Sequence, residues 1–195
     1  LLIAMIIVFS SLLLSNMFIL KQINSPSYLK DIITPTSRWW FTIGDYLVNL
    51  FFVSFQIFAL FLIGQYWFKF NLLNNIELYF LGLFFGASVF IFLGMCIAYL
   101  IKSEGIATII SLFVLLVCMI LSDILAPASL ASPIVRFFIE NNPFFILEKF
   151  LFNILLLNKG YVDVEFLLLK LGFFFLIGLL FSYICRKISE KRTEY

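Results

Sequence analysis

Residues able to do covalent chemistry are few in this sequence and poorly spaced for it. There is no histidine, so imidazole is absent as general base, nucleophile or metal ligand, and any acid/base work falls to carboxylates. Asp123, Glu140 and Glu148 share one connection and are the candidate acids of a membrane-embedded enzyme acting on a lipid or polyprenyl substrate. They are not clustered at the spacing of a metal site. Cys96, Cys118 and Cys185 lie in separate apolar runs with no C-x-x-C pair, the pattern of buried free thiols. No G-x-x-x-x-G-K-[ST] loop occurs, so a nucleotide is not held by that device. The residues assign no catalytic site, metal or cofactor to the chain.

The composition says what must position these few groups. The 195 residues are 64% apolar and 12% charged, against about 25% charged in an average soluble domain. Water is therefore not the main solvent, and the ordered alternative is a polytopic membrane protein. A helix rises about 1.5 Å per residue, so a hydrocarbon core of about 30 Å needs about 20 mostly apolar residues. Five stretches qualify: 1–20, 46–68, 78–101, 106–125 and 164–185. The first has no basic leader and no small-residue cleavage site, and it reads as a span. The expected fold is an all-α membrane bundle of five spans.

Orientation follows from the basic residues, which collect at cytoplasmic flanks. Lys21, Lys30 and Arg38, then Lys102, then Arg186, Lys187, Lys191 and Arg192 fall on one side, eight of the 13 Lys and Arg residues. With five spans that side is the cytoplasm, and a sixth span would put the basic tail outside. The long outer connection, 123–163, is too apolar for a solvated loop. Residues 133–140 (PIVRFFIE) and 144–157 (FFILEKFLFNILLL) predict two short helices around the break Asn141-Asn142-Pro143. Fourteen helical residues cover about 21 Å, short of a crossing. A hairpin dipping into the outer leaflet and an apolar helix lying flat on the interface both fit.

The cytoplasmic segment, 21–45, is patterned. Ser25-Pro26 sets a helix N-cap before a first-turn proline. Tyr28, Leu29, Ile32 and Ile33 then recur at helical spacing, with Lys30 and Asp31 opposite. Thr34-Pro35 ends this stubby amphipathic helix, Ser37 is placed to cap the next, and Arg38, Trp39 and Trp40 suit the headgroup level. Such a helix serves either to lie on the membrane surface or to dock a cytoplasmic partner. Mid-span polar residues are uncharged: Asn49, Ser54, Gln56, Ser88, Thr108 and Ser111. Ion-driven transporters usually place carboxylates or broken helices at the midplane, so uphill work here would be supplied from outside the chain. Lys170, inside the last span, is placed either to snorkel or to contact a substrate or partner. Gly82 and Gly86 form a G-x-x-x-G that admits a closely packed helix.

Several motifs in order resemble the ABC-2 type transporter permeases, which export polysaccharides, lipids, antibiotics and similar compounds. They are LKDIITPTSRWWFTIG at 29–44, with a Thr-Pro before a glycine that opens a span; KSEGIA at 102–107, a short cytoplasmic turn; LSDILAP at 121–127; and Asn142-Pro143-Phe144 before an apolar helix. Residues 21–27 lack the Glu-Arg and Gly-Thr pattern often seen ahead of this helix, and Asp123 stands where the family usually has glycine.

The resemblance implies that residues 1–195 are a permease domain whose first span here corresponds to the family's second of six. The chain is then expected to be truncated at its N-terminus. It also implies that the helix at Tyr28, Leu29, Ile32, Ile33, Thr34 and Pro35 is the coupling helix seated on a cytoplasmic ATP-binding subunit. Asn141, Asn142 and Pro143 would turn the family's outer re-entrant pair. ATP and Mg would be bound by the partner subunit and not by this chain. The permease would be a homodimer or heterodimer in the plasma membrane. The readings of another class are the lipid- or polyprenyl-modifying enzyme and a non-catalytic membrane scaffold.

Overall fold

The computed structural model describes residues 2–26, 28, 37–66, 75–122 and 132–191. Among these every regular element is helical: α1 (Leu2–Ile23), α2 (Arg38–Tyr66), α3 (Ile76–Ile101), α4 (Glu104–Ile120), α5 (Pro133–Glu140), α6 (Pro143–Leu155) and α7 (Tyr161–Lys191). Helices α1, α2, α3 and α7 have 22, 29, 26 and 31 residues. At about 1.5 Å each they exceed the roughly 30 Å of a hydrocarbon core. Helix α4 has 17 residues, at the lower edge of a spanning helix. The chain is an all-α, multi-pass membrane protein.

Helix α3 is the axis of the bundle. Leu83, Ala87, Phe90, Ile91, Met95 and Ala98 are fully buried along it, and it packs most extensively on α1 and α7. Lipid tails are as apolar as these side chains, so close packing and hydrogen bonds must hold the helices together. Small residues supply the packing. A Cβ placed on Gly94 would stand 2.5 Å from the carbonyl oxygen of Leu12 and 3.1 Å from Ser15 Cβ, so α1 and α3 meet nearly backbone to backbone. Ser15 Oγ donates to the Ile91 carbonyl at 2.8 Å, Asn16 Nδ2 to Ser111 Oγ at 2.9 Å, and Tyr46 Oη and Ser88 Oγ share a bond of 2.8 Å. The mid-span polar groups thus fasten α1 to α3, α1 to α4 and α2 to α3.

The second helix starts at Arg38, directly after Ser37 as the cap predicts, so it runs well ahead of the apolar stretch from 46 and Gly44 lies inside it. The fourth helix ends at Ile120, short of the expected 125, which leaves, among the described residues, four helices long enough to span and one shorter apolar helix. The last helix begins at Tyr161 and runs through the basic tail to Lys191. Both extensions carry charged residues, Arg38 and Asp45 in one and Asp163 and Arg186 to Lys191 in the other, and each is stabilised by ion pairs described below. Trp39 packs edge-on against Tyr183, with ring centroids 4.7 Å apart, while Trp40 is exposed.

The two short helices form where Pro133 and Pro143 open them and Asn141-Asn142 separates them. Helix α6 does not lie on the surface of the bundle. Phe144, Leu147 and Phe150 are fully buried, and the Gly82/Gly86 face of α3 receives it. A Cβ on Gly82 would meet the Phe150 ring at 1.8 Å, and one on Gly86 would meet Leu147 at 2.5 Å. As α6 advances from Leu147 to Phe150, its contacts on α3 move back from Gly86 to Gly82. Beyond it Asn158 accepts from Asn75, at the start of α3, at 3.0 Å. So α6 climbs toward the end where α3 begins, with its N-terminal hinge lowest.

Candidate functional site: a charged end and a buried hinge

At one end of the bundle four charged side chains close a balanced cluster. Arg186 of α7 is 1% exposed. Its Nη1 lies 2.6 Å from Asp45 Oδ2 of α2, and its Nε lies 2.9 Å from Glu190 Oε1 one turn along α7. The second Glu190 oxygen takes Arg38 Nε at 2.6 Å. Tyr99 of α3 donates to Asp45 at 2.7 Å, and the guanidinium lies over the rings of Phe41 and Tyr99, 5.3 and 5.6 Å from their centroids. Two cations and two anions compensate each other where single charges would be costly. Lys102 adds a bond from Nζ to the Ser189 carbonyl at 3.3 Å. Helices α2, α3 and α7 are thereby tied at one level, the level of the basic flanks.

Tyr28 joins the cytoplasmic segment to this cluster. Its amide donates to the Ser25 carbonyl at 3.1 Å, closing a turn. Its ring is 3% exposed, in the field of Arg186, Glu190 and Asp45, and burial raises its phenol above the ordinary value. Tyr28 is thus buried beside the cluster. Leu29, Ile32, Ile33, Thr34 and Pro35, the other residues expected to couple, lie outside the described residues, as does Asp123.

The hinge between α5 and α6 is the second constellation. Asn142 Nδ2 donates to the carbonyls of Cys118 and Leu121, at 2.6 and 2.8 Å, and Oδ1 accepts the Phe144 amide at 3.1 Å. One side chain thus caps α6 and satisfies carbonyls at the end of α4, which otherwise lack helical partners. Lys170 is nine positions past Tyr161, about 14 Å along α7. Its amine reaches the Glu140 carbonyl at 3.3 Å and Asn141 Oδ1 at 3.4 Å, and stands 5.1 Å from the Phe166 ring centre. A cation on the last carbonyls of α5 complements that helix end. Lys170 is held on the hinge.

Of the candidate acids, Glu140 is engaged by Arg136 Nε at 2.7 Å on the exposed face of α5. That hydrogen bond holds its carboxyl below the usual value. Glu148 sits on α6, a separate helix. Cys96 and Cys185 are buried, Cys118 is half-buried, and all three thiols are free. A cleft of about 590 Å³ opens between α1 and α2, with Met17, Phe18 and Val48 on its walls and Lys21, Asp45 and Asn49 among its polar lining.

The sequence gives little sign of the cluster, because Arg186 falls in a run of basic residues and Asp45 stands at the edge of an apolar span, where a charge is ordinary. The available signal was the i,i+4 pair Arg186 and Glu190, which continues the helix and puts opposite charges on one face.

No curated protein and no solved structure matches the chain. The ABC-2 type transporter family does, over residues 1–156. That match covers the segment 21–45, the bundle axis and the buried hinge, and the chain belongs to the ABC-2 type transporter family, as a membrane permease component.

Proposed function

We propose that this permease is the membrane half of an ATP-driven exporter and takes its energy from a separate ATP-binding subunit docked under residues 28–35. Two permeases would enclose the substrate path, with ATP and Mg bound by two ATPase subunits. The observation that carries the reading is the attachment of the cytoplasmic segment. Tyr28 is buried in the field of Arg186, Glu190 and Asp45, whose ion pairs join α2 to α7, so a push delivered at Tyr28 would arrive at that cluster. A helix lying passively on the bilayer would not require that burial.

The mid-span bonds Asn16 to Ser111 and Tyr46 to Ser88 support the same reading, since those side chains are spent on helix packing. The test is co-purification of the full-length permease from detergent with an ATPase. Leu29→Asp with Ile33→Asp places two charges on the apolar face and is expected to abolish co-purification while leaving membrane insertion intact. Retention of the ATPase by that variant would overturn the docking assignment.

A further inference from the structure

We propose that α7 is a strut linking the charge cluster to the outer hinge, with Arg186 and Lys170 as its two positioning residues. The two lie 16 positions apart on one 31-residue helix with no proline, about 24 Å along its axis. At one end the Arg186 guanidinium is fixed by Asp45 and Glu190. Rotation or sliding of α7 there must move with the start of α2 or break a buried ion pair. At the other end the Lys170 amine is fixed to Glu140 and Asn141, the last carbonyl of α5 and the first hinge residue.

Between these two points α7 presents an interrupted seam to α3. Gly178 sits 3.0 Å, measured from a built Cβ, from the Phe92 ring, and Leu171 and Ser182 are fully buried, while Phe173, Leu176, Leu180 and Phe181 are exposed. An unbroken helix that packs on α3 and is fixed by polar partners at these two points carries a displacement from one to the other as a rigid body. The hinge it reaches is also the N-cap of α6 and the hydrogen-bond donor to the end of α4. A shift of Lys170 is therefore a shift of the whole hairpin. The strut rests on the exporter reading for the source of the push, but not for the coupling between its ends.

A double-mutant cycle tests that coupling directly. The reporter is Phe137→Cys, on the exposed face of α5, in a Cys118→Ala background, read as the rate of monobromobimane labelling of the full chain in proteoliposomes. Arg186→Gln and Lys170→Met are each expected to change the rate by about twofold or more, the lower bound for coupled residues. The double variant should change it no further than the larger single, and Lys170→Arg, which keeps the cation and its donors, should restore the native rate. If the two effects simply multiply, the ends act independently and the strut is wrong. Should Arg186→Gln fail to fold, Arg38→Gln, on the partly exposed side of the same cluster, takes its place in the cycle.

A second arm adds the ATPase with ATP and Mg. The labelling rate should respond to nucleotide in the native chain and lose that response in Lys170→Met, and an unchanged response would equally overturn the strut. If no ATPase associates with the native chain, the exporter reading fails, while the cycle still decides the strut.

Discussion

Replacing Gly82 by alanine asks whether α6 is truly seated inside the bundle. The added methyl would lie 1.8 Å from Phe150 Cε1 and 2.5 Å from Cδ1 and Cζ. Ordinary carbon contacts are about 3.5–4.0 Å, so the ring must recede by nearly 2 Å, and Phe150 is fully buried. Overpacking of this kind costs about 1–3 kcal/mol. Alanine also favours helix over glycine by about 0.5–1 kcal/mol, leaving a net loss of about 1–2 kcal/mol. Gly172→Ala is the internal control. Nothing lies within 4 Å of a Cβ there, so only the propensity gain remains.

The propensity gain is common to both, so the two variants should differ by the overpacking cost, about 1–3 kcal/mol, or about 2–12 °C in apparent Tm for a chain of this size. The assay is thermal denaturation in one detergent, followed by size-exclusion recovery, of both variants beside the native chain. Phe150→Leu removes Cε1 and Cζ, so in the Gly82→Ala background it should cost less than in the native chain, a coupling of about 0.5 kcal/mol or more. Equal melting of the Gly82 and Gly172 variants, with additive behaviour of Phe150→Leu, would refute the packing. It would return α6 to the bilayer surface, where a methyl on α3 meets only lipid.

The hinge and the cluster give two more tests. Asn142→Asp keeps the acceptor that caps α6 but loses both donated bonds to Cys118 and Leu121, whereas Asn142→Ala loses all three. Each should lower thermal stability, alanine by about 0.5–2 kcal/mol more for the lost cap, measured in the same melting assay. Asp45→Asn leaves Arg186 buried with Glu190 as its remaining anion. It should cost about 3 kcal/mol, the lower end for breaking a buried pair, and pairing it with Arg186→Met should recover part of the loss.

What was legible in the sequence is what depends on length and local pattern. Apolar runs of about 20 residues mark helices wherever a backbone must satisfy its own hydrogen bonds in lipid. Pro133 and Pro143 each open a short helix, and Gly82 and Gly86 mark a close approach. The identity of the approaching helix was not legible, because a small-residue face admits any neighbour of suitable shape. Lys170 stood out as a lone cation in an apolar helix, yet its partners are a main-chain carbonyl and a hinge amide, which leave no mark on composition. Asp45 and Arg186 are 141 positions apart, and each sits at the edge of an apolar span, where a charge has an unremarkable explanation. Apolar windows also end too early. Ion pairs extend α2 and α7 beyond their greasy parts, and the charges that appear to terminate a span here continue it.

The placement of charge is the strongest physical argument about how this permease works. Burying ionised groups such as Arg186, Glu190 and most of Asp45 is costly, and well-packed apolar residues at such positions are often as stable or more so. Stability alone therefore gives little reason for Arg186 to lie 1% exposed between two carboxylates. A cluster of alternating charge has a property that an apolar contact lacks: its partners can exchange, but none can leave unpaired without a large penalty. Displacing α7 relative to α2 must then carry Asp45 along or re-pair Arg186, so on the proposed exporter reading the cluster would transmit movement instead of yielding to it. Its position at the foot of α2, α3 and α7, with Tyr28 against it, sets that property where a cytoplasmic push would arrive.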